Sequence, residues 1–104
     1  MLQQFDVVSN PSQQRNRFPY LVVLQSDILS DLAVVVVAPL LALGDGTTRK
    51  TRLNPVVEVD GTAYIVMTEL CAAIERSSVK PAVGSVAHHR AALIAGIDML
   101  FTGL

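Results

Sequence analysis

Tryptophan is absent from this chain, cysteine occurs once, and the remaining aromatics are three phenylalanines and two tyrosines. The lone thiol, Cys71, excludes an intramolecular disulfide and any multi-cysteine metal site, and it fits a reducing compartment. It lies between Leu70 and Ala72, an apolar setting that reads as a buried, inert structural thiol rather than a nucleophile. Charge is sparse too: 16 % of the residues are charged and the formal net charge is -1, with a pI near 6.0. Such a chain lacks the basic field that direct nucleic-acid binding needs. Arg49, Lys50 and Arg52 do cluster, but beside Gly44-Asp45-Gly46 and Thr47-Thr48 they read as a solvated loop, and the Gly-Asp-Gly run as a turn. No apolar run approaches the roughly 20 residues of a membrane span. Met1 to Asp6 lacks the basic start and apolar core of a signal peptide, so a cytoplasmic protein without membrane attachment is expected.

Recognisable catalytic motifs are missing as well. There is no glycine-rich phosphate loop, nucleophile elbow or zinc-type spacing. The two histidines, His88 and His89, are adjacent, which on a helix turns them about 100° apart and prevents them from sharing a ligand as an i, i+4 pair does. Ser26-Asp27 has no histidine brought to it and reads as local capping at a strand end. No catalytic residue, metal site or cofactor is expected, and the chain reads as a protein that acts by binding.

What is abundant is apolar surface, at 51 % hydrophobic residues in 104. That length fits one domain spanning residues 1–104, and self-association is the simplest outlet for the excess. Val34-Val35-Val36-Val37 is a β-branched run suited to a central strand buried on both faces. Short strands are expected at Gln4 to Val8 and Tyr20 to Leu24. Val56 to Val59 and Thr62 to Met67 flank Asp60-Gly61, the strongest hairpin signal in the chain. Thr68 to Arg76 reads as a short helix, and Pro81 and Gly84 break the chain after it.

Ser85 to Phe101 reads as one amphipathic helix, with Ser85 as N-cap and Gly103 as terminator. Val86, Leu93, Ile97, Leu100 and Leu104 recur on one face, widened by Ile94 and Phe101. Gly96 costs about 1 kcal/mol in a helix interior and so marks a close approach to another backbone. The apolar end Thr102-Gly103-Leu104 is expected to be either buried or used. About five strands and one helix point to a small, strongly curved, mainly β sheet or barrel of mostly antiparallel strands.

Gln25-Ser26-Asp27-Ile28, Pro39-Leu40, Leu53-Asn54-Pro55-Val56-Val57, Met67-Thr68, His88 and Ile97-Asp98-Met99-Leu100-Phe101-Thr102-Gly103-Leu104 resemble, in order and spacing, the CcdB family of toxins from type II toxin-antitoxin modules. The resemblance covers nearly the whole chain from Gln4. It implies an SH3-like small barrel with a C-terminal helix, shared with the MazF toxins, and a homodimer that is not an enzyme. The implied target is the A subunit of DNA gyrase, trapped in its DNA-cleaving complex. The implied regulator is a CcdA-like antitoxin with a disordered segment, which together with the toxin represses their operon, the one context in which DNA is engaged. The implied gyrase-binding residues are Ile28, Leu29, Asp98, Phe101, Thr102, Gly103 and Leu104. The best-known plasmid-encoded toxin of the family ends in Trp-Gly-Ile and has Asn at the position of Asp98, so its stacking indole has no counterpart here. Two other readings follow: a gyrase-inactive relative that persists as an antitoxin-binding dimer, and a MazF-like endoribonuclease, which the near-neutral charge disfavours.

Overall fold

The computed structural model describes residues 1–44 and 46–104; Asp45, and with it the centre of the expected Gly-Asp-Gly turn, lies outside the described residues. The strands are β1 (Asp6–Ser9), β2 (Tyr20–Val23), β3 (Val34–Ala42), β4 (Val56–Val59), β5 (Thr62–Val66), β6 (Ala72–Glu75) and β7 (Gly84–Ser85), followed by helix α1 (Arg90–Thr102). Single 3-10 turns occupy Asp27–Leu29, Thr68–Leu70, Arg76–Ser78 and Ala87–His89. The strands form a nearly closed antiparallel barrel in the order β4-β5-β3-β2-β1-β7, with β6 also paired to β3. This is the small SH3-like barrel with one C-terminal helix that the sequence implied, with seven strands among the described residues where about five were expected.

The valine run opens β3, the strand on which the sheet converges. Val37 to Leu40 pair with β2 on one edge. On the other edge Val34 to Val37 pair with β6 and Leu40 to Ala42 with β5. Because side chains alternate across a strand, Val35 and Val37 join Val8, Leu21 and Val23 in one cluster, while Ala38 and Leu40 join the main core with Phe5, Val7, Val22, Val57 and Leu93. The strand is therefore apolar on both faces and buried or half-buried from Val35 to Leu41, with Val34 and Ala42 exposed at its two ends.

Asp60-Gly61 closes the β4–β5 hairpin as read, with Val59 opposite Thr62. Both turn residues have positive φ, 51° and 79°, the pattern that matches the twist of paired strands. The helix expected over Thr68 to Arg76 is not formed. Only a 3-10 turn stands at Thr68–Leu70, and Ala72 to Glu75 become β6. The free edge of Val34 to Val37 needs backbone partners, and that demand overrides the helical spacing of Leu70, Cys71 and Ile74.

The terminal helix is shorter than its periodicity. Gly84 and Ser85 are drawn into a ladder with Val7 and Asp6, and Ser85 Oγ accepts from the Ala87 N–H at 3.2 Å instead of capping α1. The helix begins at Arg90 with no side-chain cap. Gly103 ends it as expected, in the left-handed conformation (φ 75°), its N–H donating to the Asp98 and Met99 carbonyls. Val86 and Leu93 are buried and Ile94 and Ile97 pack on the core. The stripe then runs past the barrel, leaving Phe101 71 % and Leu104 74 % exposed.

Gly96 is the close approach its position implied. A methyl group there would stand 3.0 Å from the Leu53 carbonyl oxygen, 3.3 Å from that of Arg52 and 3.3 Å from Thr68 Oγ1. Thr68 Oγ1 itself donates to the Leu53 carbonyl at 2.6 Å, so this backbone is held in place against the helix. Gly96→Ala is therefore expected to lower stability by about 1 to 3 kcal/mol through overpacking, outweighing the gain of about 1 kcal/mol in helix propensity. A denaturant melt of the two proteins measures the sign directly.

Candidate interaction surface

Two segments present the apolar side chains that the sequence singled out. The first follows β2. Gln25 holds it to the start of β3: its Oε1 accepts from the Val36 N–H at 3.1 Å, and its Nε2 donates to the Leu29 and Val34 carbonyls at 3.3 Å each. Arg76, the first residue after β6, clamps the same loop, with Nε donating to the Leu32 carbonyl at 2.8 Å and Nη2 reaching those of Leu29 and Val34 at 3.4 Å. Ser26 Oγ accepts from the Ile28 N–H, the local capping expected of it, whereas Asp27 Oδ1 reaches 23 positions back and accepts from the Gln4 N–H at 2.7 Å. With its backbone thus fixed, the loop turns Ile28 outward at 84 % exposure, with Leu29 and Leu32 also exposed.

The second segment is the end of α1. Thr102 Oγ1 donates to the Asp98 carbonyl at 2.7 Å and accepts from the Leu104 N–H at 3.3 Å, so this hydroxyl serves the helix terminus. The Asp98 carboxylate is exposed and makes no hydrogen bond or ion pair among the described residues. It lies in the last turns, where the macrodipole disfavours an anion.

Between the two segments runs a groove of about 300 Å³ lined by Leu24, Gln25, Ser26, Leu29, Val36, Cys71, Ile97 and Phe101. It brings Leu29 and Phe101, 72 positions apart in the chain (101 − 29), onto one feature. Ile28 stands beside it on the first segment, and Asp98, Thr102, Gly103 and Leu104 form the exposed end of the second. Cys71 is half-buried and faces this groove, which corrects its reading as a buried structural thiol. Gln25 and Arg76 position the loop and no local pattern announces them.

Elsewhere the chemistry is quiet. His88 is exposed and His89 half-buried, with ring centroids 4.3 Å apart. Among the described residues no group of three or more His, Cys, Asp or Glu side chains is placed to hold a metal ion. Arg90, which carries positive charge at the unfavourable end of the helix, reaches back to the N-terminal segment. Its Nη1 donates to Gln4 Oε1 at 3.1 Å and its guanidinium lies 5.8 Å from the Phe5 ring centroid. Burial, aided by Tyr20 and Asp60, raises the pKa of the Tyr64 hydroxyl above its ordinary value. No helix among the described residues is long and apolar enough to cross a membrane.

The loop on the opposite flank of α1 hangs on Asn54, 2 % exposed. Its Oδ1 accepts from the Lys50 N–H, and its Nδ2 donates to the Val66 carbonyl at 3.1 Å and to Glu69 Oε1 at 2.6 Å. Its backbone N–H donates to the Lys50 carbonyl at 2.7 Å, while its own carbonyl accepts from Arg49 Nη1 at 3.0 Å.

The architecture under this surface is a small, mostly antiparallel barrel with one C-terminal helix whose apolar end is exposed. The family described as CcdB protein matches residues 4–103, and the chain belongs to it. In general terms that makes it a toxin-antitoxin toxin of the gyrase-poison kind. No curated protein matches the chain.

Asn54→Ala leaves the Lys50 amide and the Val66 carbonyl without their partner. The expected cost is about 1 to 3 kcal/mol, read as a lower denaturation midpoint with an unchanged slope.

Proposed function

We propose that this protein, as a homodimer, binds the A subunit of DNA gyrase through Ile28, Leu29, Asp98, Phe101, Thr102, Gly103 and Leu104. It traps the complex in which DNA is cut and is neutralised by a CcdA-like antitoxin, with which it represses its own operon. The observation that carries the reading is the convergence of Leu29 and Phe101 on one apolar groove at the exposed end of α1, with backbones already held by hydrogen bonds. A rigid apolar patch loses little entropy on binding, and it stands on a chain whose family is one of toxins. A two-fold dimer presenting two such ends would suit a two-fold target. No cofactor or metal is needed for this action, which is binding and not catalysis.

A gyrase-inactive, antitoxin-binding relative is the second reading. It is favoured by the absence of tryptophan and by the Thr102 hydroxyl being committed to the helix terminus. With no indole available, Phe101 is the one aromatic side chain on the proposed surface. Phe101→Ala should leave stability within about 0.5 kcal/mol, as an exposed substitution does, and weaken gyrase binding by about 2 kcal/mol, roughly thirty-fold.

The deciding assay is a supercoiling reaction with purified protein, gyrase, ATP and plasmid, opened with detergent and protease. Linear DNA that appears only with this protein is the expected result. Its absence, with the protein folded and dimeric, would favour the second reading. Removal of Gly103 and Leu104 should leave the melting transition nearly unchanged and abolish the linear product; a truncated protein that still poisons gyrase would displace the site from the helix end.

A further inference from the structure

The barrel is nearly closed but not sealed. β4 and β7 end the strand order, each paired along one edge only among the described residues. Between them lies a cleft of about 220 Å³, lined by Glu58, Val59 and Asp60 from one side and by Val7, Gly84 and Val86 from the other. The Val66 N–H donates to the Pro55 carbonyl at 2.9 Å, and the ladder continues with Val56 opposite Ile65 and Val57 opposite Tyr64. Hydrogen-bonded and non-hydrogen-bonded pairs alternate along such a ladder, so Val57 and Val59 turn their backbone groups to β5 while Glu58 turns its N–H and C=O to the open side. Side chains alternate as well: Val57 and Val59 belong to the main core and Glu58 is exposed. On the facing strand Gly84 stands opposite Val7, a core residue, and therefore on the inner face. A methyl group at Gly84 would meet nothing within 4 Å. Where a core side chain would stand at the mouth of the cleft, the sequence places glycine and leaves open space.

We infer that this cleft takes up an extended, cationic segment of a protein partner, added as a strand along the free edge of β4. The segment alternates basic and apolar residues. A lysine or arginine opposite Glu58 exchanges backbone hydrogen bonds with it and lays its charge against the carboxylate, and the next residue points inward, over Val59 and Val86, into the space that Gly84 leaves. Strand addition draws affinity from main-chain bonds and specificity from the pockets for alternate side chains. Charge names the occupant: Glu58 and Asp60 are both exposed, and their carboxylates make no hydrogen bond or ion pair among the described residues. The same two carboxylates repel nucleic acid and acidic segments. A second copy pairing edge to edge would set one Glu58 against another, and like charges on facing strands are destabilising. The inference goes beyond the toxin reading, and the cleft shares no residue with the surface proposed for gyrase.

The test uses a fluorescein-labelled peptide that alternates valine and lysine, a matched valine-glutamate peptide, and the valine-lysine peptide with the backbone nitrogens of its lysines methylated. Each is titrated by anisotropy against the full-length protein. Saturable binding of the unmethylated valine-lysine peptide alone is expected, falling with added salt and slowing hydrogen exchange at the Glu58 amide. The double variant Glu58→Lys, Asp60→Asn should weaken it about tenfold; asparagine tolerates the positive φ of the turn. Gly84→Val should fill the mouth of the cleft and abolish binding while melting no earlier than the parent. Absence of binding, equal binding by the methylated or the glutamate peptide, or undiminished binding by either variant would overturn the inference. So would a change in sedimentation on Gly84→Val, which would assign the cleft to a contact between copies, or loss of trapped DNA breaks in the supercoiling assay with that variant, which would assign it to gyrase.

Discussion

The backbone ladder of β3 is the constraint on which the rest of this structure depends. One nine-residue strand supplies hydrogen-bonding partners to three others, β2 along one edge and β6 then β5 along the other. Its alternating side chains feed separate apolar clusters on the two faces. Gln25 extends the same ladder with a side chain, accepting from Val36 and donating to Val34 where the main chain of the preceding loop has turned away. The first half of the candidate surface is thus an extension of the sheet and inherits its rigidity.

The second half is a helix that needs help from loops on both sides. Weakly capped at its start, α1 is seated by Leu93 in the core and by Gly96 against the Leu53 carbonyl. That carbonyl is held by Thr68, and the loop before it by Asn54. Buried polar groups with complete sets of partners are strong organisers of a fold. Among the described residues no buried side-chain nitrogen or oxygen lacks one.

Local signals in the sequence were reliable where the physics is local. Asp60-Gly61 specifies a two-residue hairpin by its own conformational preferences, and Gly103 a helix end by its tolerance of positive φ. Gly96 betrayed its close approach by being a poor helix former. β6 was illegible because Ala72-Ala73-Ile74-Glu75 is not strand-like in composition; only the open edge of β3 makes it a strand. The helix start was misplaced for the same reason, with Ser85 claimed by a ladder to Asp6. At the surface, the resemblance supplied the residue types, while the Leu29–Phe101 groove is a contact across 72 positions that no periodicity encodes. Arg76 and Asn54 act on backbone far from them in sequence, and such partnerships leave no local pattern.

Gln4 joins the parts. Its backbone N–H is held by Asp27, at the loop that presents Ile28, and its side chain by Arg90, at the first residue of α1. The neighbouring Phe5 is 1 % exposed and kept at φ 68°, a conformation that a non-glycine residue holds only when its surroundings enforce it. A clasp that ties the segment before the first strand to the last helix spans 86 positions, and contacts of such separation form late because their loop entropy must be overcome first. Partly folded chains that retain the β4–β5 hairpin but have not closed this clasp would therefore lack the fixed spacing between the Ile28 loop and α1, so the candidate surface takes shape only as the fold is completed.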